Sequence, residues 1–166
     1  MEITTLRDLF QEHIQDLYSV EEQILEALPE MIEAATDPEL TAGLQNHLQE
    51  TRRQAERIEE IARIMSFDPN GAKCDGMKGI LKEGNKLVSK EVDQDDVMDA
   101  AIIAACQRVE HYEIAVYGTA RTYARMLGET EVVSLLEQSL EEEKNADRKL
   151  TDVAESHVNL RAMAGD

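Results

Sequence analysis

The stretch VEHYEIAVYG, residues 109–118, lies within a long helical run and places Glu110 where the periodicity calls for an apolar core residue, with Glu113 one turn later. A lone carboxylate in a core costs several kcal/mol unless something compensates it. What surrounds that glutamate decides both the architecture and the chemistry.

The composition is helical throughout. Ala, Leu, Glu, Ile and Gln abound in 166 residues, with three Pro, eight Gly and no Trp. Alternation with period two is missing, so no strand is expected. With 17 Lys and Arg against 35 Asp and Glu, the net charge is −18. Nucleic acids and anionic membranes reward basic faces, so neither is expected as a partner. No apolar run reaches the length of a membrane helix, and MEITTLRDLF lacks a signal peptide's basic and apolar regions. A cytoplasmic location is the default. Cys74 and Cys106 form no CxxC pair and read as reduced.

Punctuation sets the elements. Thr4 or Thr5 caps a first helix over about 5–35, and Asp37 with Pro38 starts a second over 39–65. DPNGAKCDG (68–76) breaks the chain before a short amphipathic helix over 77–90, whose buried candidates are Ile80, Leu81, Leu87 and Val88. Asp95 or Asp96 caps a helix over 97–127, Gly128 ends it, and a last helix spans 130–158, followed by a frayed tail. Pro29, inside the first helix, should kink it near Leu25. Two long hairpins joined by a connection of about thirty residues make one all-α domain, 1–166: a four-helix bundle whose long crossover contains a short fifth helix.

Inward positions recur every three or four residues. The stripes run through Phe10, Ile14, Leu17 and Glu21; through Leu44, His47, Glu50 or Thr51, and Gln54; through Ile103, Gln107, Glu110 and Ile114 or Glu113; and through Val133, Leu136, Leu140, Glu143 and Asp147. Every long helix therefore has a polar interruption near its middle. Glu21 stands 16 residues before Asp37 and Glu110 stands 18 before Gly128. At ~1.5 Å per residue both lie roughly 24–27 Å from their turns, so Glu21, Glu50, Glu110 and Glu143 can share one layer. Like charges in an apolar layer need protons or cations. Two divalent ions bridged by carboxylates resolve the repulsion, and oxygen-rich ligation suits iron or manganese better than zinc, with iron the first expectation. Glu143 with Asp147, and Glu50 with His47 or Gln54, are the two-ligand candidates. For His47 and Gln54, structural hydrogen bonding is an equal alternative. Tyr18 and Tyr117 are either core or supports to the ligands, and Glu22 and Glu142 read as surface.

DLYSVEEQILEALPEM (16–31), HLQETRRQAERI (47–58), KCDGMKGILKEGNK (73–86), DAAIIAACQRVEHYEIAVYG (99–118) and LEEEKNADRKLTDVA (140–154) resemble, in order and over nearly the whole chain, the YciE/YciF family of ferritin-like bacterial stress proteins. The resemblance implies a rubrerythrin- and ferritin-like bundle, a homodimer and a di-metal centre. Glu110 and Glu113 resemble the Glu-x-x-Glu pair of rubrerythrin-like proteins, and Glu143 their bridging glutamate. The Glu-x-x-His pattern of those proteins is absent. Arg53 follows Glu50 by three residues and Ala146 follows Glu143, so Gln54 and Asp147 would substitute. In the leading expectation Glu21 with Glu113 or Glu110 are terminal ligands, Glu50 and Glu143 bridge, and the ions meet dioxygen or peroxide as in a di-iron or di-manganese oxidoreductase. Two alternatives stand beside it: a metal buffer without turnover, and a structural or interaction dimer with a vestigial site.

Overall fold

The computed structural model describes residues 2–88, 92 and 94–164. Its elements are α1 (Leu6–Ala34), α2 (Pro38–Met65), α3 (Asp75–Val88), α4 (Asp95–Met126), α5 (Thr130–Val153), one π-helical turn (Ala154–Val158) and α6 (Asn159–Met163). No strand occurs among the described residues. α1 packs on α2, α4 on α5, and the two hairpins pack on each other, with α3 lying against α4 and α1 on the crossover.

Thr5 caps α1 in a reciprocal box with Asp8, and Asp37 caps α2 ahead of Pro38. α1 continues through Pro29, which sits on the exposed face, to Ala34. α4 starts earlier than the sequence suggests: Gln94 is the N-cap, and Asp95 and Asp96 occupy the first turn, where they face the positive end of the helix. Leu127 closes α4, and Gly128 follows with φ 78, the left-handed conformation glycine adopts without strain. The sequence boundary of the short helix, at residue 90, lies outside the described residues. Within α3, Met77 and Gly84 are the buried side, while Ile80, Leu81, Leu87 and Val88 are half-buried. The expected fray of the tail LRAMAGD (160–166) is corrected as far as Met163, because Asn159–Met163 is helical; residues 165 and 166 lie outside the described residues. On α5, Val132 rather than Val133 is buried, a shift of one residue in the stripe near the turn.

The interior is divided. One apolar cluster contains Ile24, Leu28, Leu44, Ile102, Ile103 and Leu150. A second contains Phe10, Ile14, Leu17, Ile58, Tyr117 and Leu136. Between them each long helix places polar side chains: Glu21, His47 with Gln54, Glu110 with Glu113, and Glu143, all buried.

The hairpin turn of α1 and α2 is tied to α4 by Asp99, a buried carboxylate. It accepts from the Thr36 backbone at 2.8 Å, the Thr36 hydroxyl at 2.8 Å and the Asp37 backbone at 2.9 Å. The π-turn brings His157 to Asp37 at 3.0 Å, and Arg161 of α6 reaches Asp37 at 2.6 Å and Asp96 at 2.8 Å. These contacts hold Asp37's carboxyl down at about 2 against the cost of its burial. Replacing Asp99 with alanine orphans two backbone donors and one hydroxyl. Asp99→Ala should therefore destabilise the fold by about 2–4 kcal/mol in urea unfolding, with helicity retained.

Candidate metal centre

His47, Glu110, Glu113 and Glu143 each bring one nitrogen or oxygen atom to within 4.8 Å of the others, and this buried group could hold a metal ion. α2 supplies the histidine, α4 the two glutamates one turn apart, and α5 the third. Glu21 on α1 adjoins them: its carboxyl lies beside Glu113 and feels the charge of Glu143. It is completely buried, as are Glu113 and Glu143.

The supporting contacts are specific. The Tyr117 hydroxyl donates a short hydrogen bond to Glu21 Oε1. Gln54 Nε2 donates to Glu143 Oε1, and to Glu142 Oε2 at 3.1 Å. His47 Nε2 lies 3.4 Å from Glu110 Oε1, but at an angle that leaves both ring nitrogens without a hydrogen bond. Glu21 Oε2, Glu110 Oε2, both oxygens of Glu113 and Glu143 Oε2 are likewise buried with no partner. Buried carboxylate oxygens are ordinarily hydrogen-bonded, so five orphans at one height demand a compensating group.

Electrostatics point the same way. Burial, followed by the Glu143 charge, raises Glu21's carboxyl well above its ordinary value. Burial first, then contact with Glu143, does the same to Glu110. Glu113 is raised by burial and then by Glu143, Glu21 and Glu110. Burial and the Glu21 and Glu113 charges push the Tyr117 hydroxyl up as well, so it stays a donor. Without a cation, burial and like charge favour the protonated form of Glu21, Glu110 and Glu113.

Not every residue in the sequence-derived set joins the group. Glu50 is half-buried and lies at the edge of a pocket floored by His47 and Glu110. The inward face of α2 runs through His47, Thr51, Gln54 and Ile58. At about 100° per residue Glu50 points roughly 70° away from its centre. His47, expected as a supporting or alternative ligand, takes the inward place instead. Asp147 turns to α4, accepting from Gln107 at 3.1 Å and facing His111 at 3.2 Å. Tyr18 is half-buried against the second apolar cluster and donates to Glu59 at 2.9 Å, away from the group. Glu142, read from sequence as surface, is half-buried. Arg57 grips it with two bonds of 2.7 Å and also donates to Ser139 at 3.2 Å. That fork pins α2 to α5 beside the Gln54–Glu143 contact. Its only sequence signal is that Arg57 follows Gln54 by three residues.

The family model described as "Domain of unknown function (DUF892)" matches residues 5–163. The chain belongs to this family. The protein YciF of Escherichia coli K12 is 40% identical over 163 residues, covering 98% of each chain. The crystal structure of that stress protein superposes with TM-score 0.90 over 95% of this chain and 99% of the other. YcfI from Rhodopseudomonas palustris, for which a structural role has been suggested, is 42% identical with TM-score 0.86, covering 90% of this chain and 95% of that one. A Xanthomonas campestris protein at 21% identity and TM-score 0.73, spanning 96% of this chain and 95% of its own, shares the fold. The ferritin-like four-helix bundle is thus that of YciF. Among the described residues no helix is long and apolar enough to cross a membrane.

The raised carboxyls fix a sign. An acid whose folded value lies above its unfolded one stabilises the fold in its protonated form. That contribution is whole below the unfolded value, 4.5, and is lost as pH rises through the folded value. Asp37, with its lowered value of about 2, acts only at the acid end, where its contribution is lost between 3.8 and about 2. Metal-free protein should accordingly melt at lower temperature as pH rises from 5 to 8, by calorimetry. Anaerobic ferrous or manganous ions should reverse the trend, since they bind the deprotonated form.

Proposed function

We propose that the chain is a carboxylate-bridged di-metal protein, with iron first and manganese second, that reacts with dioxygen or peroxide as a cytoplasmic homodimer in stress defence. The five unpartnered, buried carboxylate oxygens among Glu21, Glu110, Glu113 and Glu143 carry this reading. Four carboxylates and one imidazole match the hard, oxygen-rich preference of these ions, and the contribution from all four long helices follows the pattern of bundle-core metal sites. The stress role follows the description of the relative YciF, and the homodimer follows the family expectation.

When bound, a ferrous pair supplies one electron per ion to an O–O bond, and with two protons from solvent hydrogen peroxide becomes two waters. The residues do the remaining work. Glu21, His47, Glu110, Glu113 and Glu143 would hold the ions, with Glu113 and Glu143 central among the glutamates. Tyr117 orients Glu21, and Gln54, backed by the Arg57–Glu142 fork, orients Glu143. The apolar clusters above and below keep bulk water from the layer. The acids release their protons as ions bind.

A metal-free structural dimer is the second reading, favoured by the role suggested for the Rhodopseudomonas relative. It predicts that Glu113→Leu raises stability, because an isosteric apolar layer replaces buried acids. Under the leading reading, Glu110→Gln and Glu143→Gln each lower peroxidase or oxidase turnover at least tenfold. Tyr117→Phe lowers it by about 10–100-fold. Full turnover in both glutamate variants contradicts the mechanism, and mass by size exclusion decides the dimer.

A further inference from the structure

A pocket of about 290 Å³ opens between α2 and α5 and ends on the candidate metal centre. Its walls are apolar: Leu40, Leu44, Ala146, Leu150 and Val153. His47 and Glu110 form its floor, and Glu39, Glu50 and Lys149 also line it. On the floor, Glu110 Oε2 and both His47 nitrogens are buried and lack hydrogen bonds. The same two residues also border a small void of about 30 Å³ beneath α3, walled by Ile24, Leu28, Ile80 and Leu81. The His47–Glu110 pair therefore stands between a larger pocket on the α2–α5 side and a smaller apolar one under α3.

The volume lies at the lower end of ligand pockets, which run ~300–1,000 Å³, and apolar walls with a few convergent polar groups are the usual form of a small-molecule site. An oxidant as small and polar as hydrogen peroxide would leave the walls uncovered. A compact apolar molecule with one polar end covers them and puts that end against His47 and Glu110. We propose that this pocket binds a small organic hydroperoxide, and equally its alcohol product, with the apolar body between α2 and α5 and the oxygen end on the His47–Glu110 floor. The hydroperoxide identity rests on the di-metal reading; occupancy of the pocket by an apolar alcohol does not.

Gly43 lines the pocket, and a side chain added there meets nothing within 4 Å. Gly43→Leu therefore projects a side chain from the α2 wall, one helical turn before His47, into open pocket space, and it replaces a helix-interior glycine with a better helix former. The probe is cumyl alcohol, the product of cumene hydroperoxide. Its binding to the full chain as purified is measured by isothermal titration calorimetry, with metal content determined on the same samples. Saturable binding to the natural protein that is weakened at least tenfold in Gly43→Leu, at equal metal content and with no loss of melting temperature, is the expected result. No binding to the natural protein, or equal binding to both, overturns the pocket assignment. Binding blocked by Gly43→Leu in samples free of metal supports the pocket and removes the di-metal reading.

Discussion

Five carboxylate oxygens buried without a hydrogen-bond donor are the constraint around which the molecule is built. Burying one ionised carboxylate costs several kcal/mol, and like charges beside it add to that cost. A bundle of this size could have been sealed with leucine. Instead every long helix gives up part of its apolar stripe at one height, and the core is split into two clusters by a polar layer. Burial and mutual repulsion favour the protonated forms of Glu21, Glu110 and Glu113 in the metal-free protein, and cations would take the place of those protons in a loaded one.

The rest of the structure fixes that layer in place. Each glutamate donor contact, Tyr117 to Glu21 and Gln54 to Glu143, crosses between helices, so ligand position depends on helix register. Register is set at the bundle end by Asp99, which ties the α1–α2 turn to α4, and by the π-turn that carries His157 to Asp37. A π-turn adds a residue to the helical repeat and rotates the helix beyond it, which lets α6 aim Arg161 at Asp37 and Asp96. Beside the layer, the Arg57–Glu142 fork fastens α2 to α5. The site is thus preorganised by contacts made outside it, and its His47–Glu110 edge borders both the pocket between α2 and α5 and a smaller one under α3.

Much of this was legible in the chain because helical periodicity is a one-dimensional signal. Glu21, Glu110 and Glu143 fall on apolar stripes, and the similar distances of Glu21 from Asp37 and of Glu110 from Gly128, 16 and 18 residues, imply a common height. On α2 the signal weakens: His47, Glu50, Thr51 and Gln54 span less than two turns, and a stripe read from spacing tolerates an error of half a face. The structure resolves it in favour of His47, Thr51 and Gln54. Asp99 gave no warning, since a buried acid whose partners are backbone N–H groups 62 and 63 residues away leaves no local pattern. The Arg57–Glu142 pair, 85 residues apart, was hidden for the same reason. The π-turn at Ala154–Val158 has no breaker residue to announce it.

The central claim is that the buried carboxylates are ligands. It is tested most directly by metal content per chain, measured by inductively coupled plasma mass spectrometry on untagged protein purified without chelators from cells supplied with iron and manganese. The account predicts close to two iron or manganese ions per chain. No metal, together with a melting temperature unmoved by added ferrous or manganous ions, would contradict it and leave a layer of protonated acids in a structural bundle.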